Sequence, residues 1–166
     1  MTAQIKDKLI LEDGKYHIIA SSSQIPFDPK DYGLFPMSCC TACYRGYWCE
    51  YVVKEENLYL DKLYIHTDGI YPKLNGIPVS AQEYESVSVQ RGKEPERFPK
   101  NLRHRVYEHI GLPVLYTGFI TVEKDIHRDG DRSKHLLELC FEDGKITNKT
   151  ACGDIPEGTR FTGALW

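Results

Sequence analysis

A matched pair of turns constrains this chain most. Leu11-Glu12-Asp13-Gly14-Lys15 and Phe141-Glu142-Asp143-Gly144-Lys145 each place Asp-Gly between apolar and polar strand-like residues. Asp and Gly tolerate the positive φ angles that tight hairpins demand, so both segments are expected to reverse antiparallel strands. The flanking sequences do not align, so the pair marks convergent turn chemistry rather than an internal repeat.

The intervening sequence extends the β pattern. Met37 to Lys54 and Leu58 to Thr67 are rich in Tyr, Val, Ile and Cys, and the polar Glu55-Glu56-Asn57 between them predicts a third hairpin. Asn75-Gly76 predicts another turn, flanked by Ile70–Leu74 and Ile77–Val79, where Pro72 and Pro78 push the flanks toward a sheet edge. Leu112 to Glu123 and His135 to Phe141 alternate as strands. Helical signals are sparse. Ser80-Ala81-Gln82-Glu83 has the form of a capping box, and Leu102, Val106 and Ile110 recur at helical spacing before Gly111 and Pro113. The expectation is a mainly β, β-rich α+β fold in one domain spanning 1–166. Antiparallel hairpins would form a sheet, sandwich or partly closed barrel, with one or two short helices between residues 80 and 111.

At 166 residues the chain is long enough to build a core without metal or disulfide staples. Its net charge of −3 supplies no global attraction to nucleic acid or anionic membranes. The N-terminal apolar run is too short for a secretory core, and no stretch approaches a membrane span, so a cytoplasmic protein with reduced thiols is expected.

Arg45-Gly46-Tyr47, followed by Tyr51 and then Leu58-Tyr59-Leu60, resembles a group of small bacterial β-rich proteins in which an Arg-Gly-Tyr strand precedes a Leu-Tyr-Leu strand. Tyr116-Thr117-Gly118-Phe119-Ile120 is similar to the aromatic-x-Gly strand of that group, and Leu139 to Lys145 to its closing hairpin. The resemblance implies a bacterial, cytosolic, β-rich protein. It transfers no catalytic residues, since no activity is established for the group.

Four of the six cysteines lie between Cys39 and Cys49. Read as one strand, this segment puts Cys40 and Cys43 on opposite faces, unable to share an ion without a turn, and no turn-forming residue separates them. Cys140 and Cys152 do not complete a second ligand pair. The cysteines are therefore expected to pack as small hydrophobes, with no metal and no cofactor. Asp125 to Asp131 has the outline of a calcium loop, but Leu136 stands where a bidentate Glu is required, so it reads as a solvated hairpin turn. The local positive excess from Arg91 to Arg105 is broken by Glu94 and Glu96 and reads as a solvated surface.

Arg45 is the most pointed single residue. An arginine in a central apolar strand is costly unless it is ion-paired or stacked on an aromatic ring, and Glu50 and Asp61 are candidate partners. Tyr47, Cys43 and His66 are the neighbours expected to join it if the segment binds a ligand. No catalytic set is expected. The leading functional expectation is non-enzymatic protein binding, as in an immunity or antitoxin-like protein that occludes a toxin, with no nucleic-acid or membrane partner. The alternative is a small-anion ligand-binding protein or enzyme with a pocket around Arg45.

Overall fold

The structure is a computed structural model and describes residues 3–22, 25–38, 40–80, 83–84, 104–128 and 131–156. The protein is mainly β, with 56% of the described residues in strands and 3% helical, and it contains a closed mixed barrel of seven strands. Two compact units are present. One comprises Met1–Ile5, Asp28–Cys49 and Asp61–Leu112; the other comprises Lys6–Phe27, Glu50–Leu60 and Pro113–Trp166.

The second unit holds the barrel. Strands β1 (Lys8–Leu11) and β2 (Gly14–Ser21) form the first hairpin, with Leu11 opposite Gly14. The reversal is carried by Glu12 and Asp13, and the Tyr16 hydroxyl donates to the Asp13 carboxylate at 2.6 Å. Strand β3 (Tyr47–Lys54) runs parallel to β1, pairing Leu9 with Tyr51, and it turns into β4 (Asn57–Ile65). This turn uses Glu55 at φ 49° and Glu56 at φ 65°, so two non-glycine residues occupy left-handed backbone. The Asn57 side chain donates to the Glu55 carbonyl and holds the bend.

Two long hairpin strands follow in the same unit: β8 (Gly118–Arg128) and β9 (Asp131–Glu142), with β10 (Lys145–Pro156) beyond the second Asp-Gly. The order β10-β9-β8-β2-β1-β3-β4 closes on itself where Lys145 meets Asn57. Backbone bonds from Leu58 to Gly144 and from Ile146 to Glu56, each 2.8 Å, seal the seam. Closure removes the open edges that would otherwise template aggregation. Register puts like with like: Leu9 faces Tyr16 and Tyr51, Ile18 faces Val122, and Ile120 and Val122 face Leu139 and Leu137. All are buried. Gly144, at φ 81°, passes so close to the Val114 carbonyl that a Cβ would collide with it. Only glycine satisfies both the turn and that approach.

The first unit is smaller in regular structure. The far end of β4 pairs with β6 (His104–Tyr107), and β6 pairs with the two-residue β5 (Glu83–Tyr84). A 3-10 turn at Pro29–Tyr32 is capped by Asp28, whose carboxylate accepts from the Lys30 amide at 3.0 Å. It is the one helical segment among the described residues. The short strand β7 (Leu112–Pro113) pairs with β4, off this strand order.

Three expectations change here. His104–Tyr107 is a strand, not part of a helix through Leu102 and Ile110: its pairing to β4 supplies the backbone bonds, and the helical spacing of Val106 and Ile110 was coincidental. The Asn75-Gly76 turn forms, at φ 50° and 76°, but it carries only an isolated bridge between Leu74 and Ile77, since Pro72 and Pro78 lack ladder donors. The strand read from Met37 begins only at Tyr47. The hairpin expected at Asp125 to Asp131 forms with Arg128 opposite Asp131. The capping-box residues Ala81 and Gln82, the cationic stretch from Arg91 to Arg103, Cys39 and Asp129-Gly130 lie outside the described residues. No helix among those described is long and apolar enough to cross a membrane.

Candidate functional site

The site residues expected from sequence all fall in the first unit: Cys43 and Arg45 lie on a double turn rather than a strand, Tyr47 opens β3, and His66 follows β4. Cys43 donates its amide to the Cys40 carbonyl at 3.1 Å, and Gly46 donates to the Cys43 carbonyl at 3.1 Å. This corrects the parity reading of the cysteines, because residues 40 to 46 reverse twice before β3 starts. The signal was not local: Thr41 and Ala42 are not turn formers, and the bend is braced by the N-terminal arm. Ile5 donates to the Ala42 carbonyl at 2.8 Å, and Gln4 both donates to the Thr41 carbonyl and accepts from the Tyr44 amide.

Gly46 anchors the arrangement. Its φ is 77°, and an added Cβ would strike the backbone of Met37. Its carbonyl accepts from the His66 amide at 2.8 Å, while the His66 carbonyl accepts from Met37 at 2.8 Å. Three chain segments are thereby stitched together at one residue. Arg45, half-buried in the turn, lays its guanidinium over the Tyr47 ring at 4.6 Å. Stacking, one of the two solutions anticipated for this arginine, is present, and the carboxylate of Glu50 meets Lys8 and Lys15. The Cys43 thiol donates to the Tyr47 carbonyl at 3.6 Å. Cys43 and Tyr47 are buried, whereas Arg45 and His66 are half-buried.

Beside this turn stands an aromatic column that sequence reasoning did not single out. Trp48 of β3 stacks on Tyr64 of β4, with centroids 4.7 Å apart and planes 9° from parallel. His104 of β6 meets the Trp48 ring edge-on at 4.5 Å and faces His66 at 6.4 Å. His104 is fully buried, and that burial, with a smaller contribution from the charge of His66, pushes its pKa down to about 4. It is therefore a neutral ring at physiological pH, used for packing. No signal in the sequence separated His104 from the other histidines, because its burial depends on β6 being a strand. Arg105, next along β6, lies over the Tyr71 ring at 5.7 Å. The Tyr107 hydroxyl donates to the Pro72 carbonyl at 2.6 Å, and burial with the nearby Tyr71 raises its pKa to about 12.

The same unit also leaves several large apolar side chains exposed. Phe35 is 63% exposed, Tyr44 66% and Ile70 67%, and Tyr32 and Met37 are also open to solvent. Leu34, between these residues in sequence, is fully buried, so the extended 34–37 segment turns Leu34 inward and Phe35 and Met37 outward. Met37 is fixed by its amide bond to the His66 carbonyl, Tyr44 by Gln4, and Ile70 by its carbonyl bond from Thr67. Large apolar groups are thus held out on a well-anchored backbone. Among the described residues, no group of three His, Cys, Asp or Glu side chains is placed to hold a metal ion. The chain matches no protein-family model, no curated protein and no solved structure.

Proposed function

We propose that this protein acts by binding another protein, in the manner of an immunity or antitoxin-type occluder, and is not an enzyme. The observation that carries the reading is the exposed set Tyr32, Phe35, Met37, Tyr44 and Ile70, held on anchored loops of one compact unit. Aromatic and methionine side chains of this kind dominate interface energetics, and presenting them on a braced backbone lowers the ordering cost of association. The partner would offer an apolar surface, and the acidic net charge favours encounter with a basic one. Arg45 supports this reading over a small-anion pocket, because its guanidinium is already engaged with Tyr47.

The test is reconstitution from purified components. A partner recovered with the native protein should form a stoichiometric complex, and Phe35→Ser combined with Ile70→Ser should weaken it at least about tenfold, the loss of one or two anchor residues. Turnover of a small molecule that depends on Arg45 or Cys43, with no complex formed, would replace this reading by the enzymatic one.

A further inference from the structure

The turn that separates Cys40 from Cys43 has a chemical consequence. The two residues are antiparallel bridge partners joined by a 3.1 Å backbone hydrogen bond. Hydrogen-bonded partners of this type have Cα atoms about 5.5 Å apart and project their side chains to one face. That spacing falls within the range a disulfide spans without backbone movement. Both cysteines are reduced in the structure. The turn between them is held by Gln4 and Ile5 through three hydrogen bonds, so little conformational freedom remains to be lost when a ring closes.

The two thiols also differ in access. Cys40 is half-buried and reachable from solvent, while Cys43 is buried with its thiol on the Tyr47 carbonyl. This is the asymmetry of an attacking and a resolving cysteine. We propose that Cys40 and Cys43 form a reversible dithiol–disulfide site whose oxidant is a low-molecular-weight disulfide. The Cys40 thiolate attacks one sulfur of the oxidant, forming a mixed disulfide and releasing one thiolate. The Cys43 thiol gives up its proton and attacks the Cys40 sulfur, closing the intramolecular bond and releasing the second thiolate. Two protein thiols are oxidised, one external disulfide is reduced to two thiols, and the two protons pass to those leaving groups. The closed form no longer donates to the Tyr47 carbonyl. This site is independent of partner binding.

The experiment uses the full chain equilibrated with mixtures of reduced and oxidised glutathione, quenched in acid, alkylated and cleaved with trypsin. Cleavage after Lys30 and Arg45 releases one peptide carrying Cys39, Cys40 and Cys43. The expected product is that peptide lighter by two hydrogens, with fragment ions placing the bond between Cys40 and Cys43. It should stand in about tenfold excess over links to Cys39, as befits a pair already in bonding geometry. Cys39→Ser should leave the bond intact, and Cys43→Ser should trap a glutathione adduct on Cys40. Should Cys43→Ser fail to fold, Cys40→Ser gives the control, in which the link disappears. A bond running from Cys39 instead, or a peptide that stays fully alkylated in excess oxidised glutathione, overturns the proposal.

Discussion

The two units solve the burial problem in opposite ways. In the barrel, strand register turns large apolar side chains inward, and Ile25, Leu115 and Phe119 are its only large hydrophobics left open among the described residues. In the other unit, five such side chains remain exposed on loops, while the interior combines aliphatic residues such as Leu34, Leu63 and Ile65 with aromatic and histidine rings of β3, β4 and β6. The barrel also draws in charge, but only in compensated form. Glu50 lies between Lys8 and Lys15, and Glu123 between Lys6 at 2.7 Å and Lys134 at 3.2 Å. The lesson is a division of labour: one unit maximises closure, whereas the other leaves apolar surface at the solvent and anchors the backbone beneath it.

That contrast can be broken most forcefully at the barrel centre. Leu60→Ala, at a fully buried site, should cost about 4 kcal/mol by leaving a cavity, read as a lowered denaturant midpoint at unchanged slope. An equal loss from Phe35→Ala, at an exposed site, would erase the distinction between the units.

The next effect sharpens the picture of the aromatic column. His104 is neutral when folded, with its pKa near 4 against an ordinary 6.5, so the unfolded chain binds the extra proton between these values. Stability should therefore fall as pH drops below 6.5 and level off below about 4, by about 3 kcal/mol in total. His104→Phe should flatten that part of the profile, as followed by thermal melts across pH.

Smaller still is the charged interior of the barrel. Burial alone would raise the pKa of Glu123, but hydrogen bonds from Lys6 and Lys134 outweigh it and hold the carboxyl below its usual range. Its contribution is present above the ordinary carboxylate pKa and is lost as pH falls. Glu123→Gln should cost about 2 kcal/mol at neutral pH, with the deficit shrinking in acid. Arg45→Met should cost at least about 1 kcal/mol, the worth of its stack on Tyr47, and an unchanged melting temperature would mean that the stack contributes nothing. The least costly change is Phe35→Ser with Ile70→Ser, within about 0.5 kcal/mol of wild type in stability while binding weakens.

Turn chemistry was legible in the sequence at two of the three expected pairs, whereas in the first hairpin the loop is Glu12-Asp13, one residue before the Asp-Gly pair. Asp143-Gly144 sits at φ 47° and 81°, and Asn75-Gly76 likewise occupies left-handed backbone. The alternation in β9 placed Leu137, Leu139 and Phe141 together, and all three are buried. What was not legible depends on partners far away in sequence. Nothing near Lys8 announces a parallel pairing with Glu50, and nothing near Thr41 announces that Gln4 and Ile5 bend it. Arg45 and Cys43 each reach Tyr47, and His66 bonds to the neighbouring Gly46, but a strand assignment hid the double turn that carries Cys43 and Arg45. His104 escaped for the same reason, its residues having been assigned to a helix.

The seam of the barrel also governs the order in which the molecule can come into being. Strand β4 has its lateral hydrogen-bonding groups near Asn57 satisfied by Val114 and by the segment around Lys145, which leave the ribosome long afterwards. Until then β4 presents a raw edge, and the hairpins already made must wait with their apolar faces incompletely covered. Such distant pairing makes closure a late and slow step, and the interval before it is when a nascent chain is most exposed to chaperones and to its own neighbours.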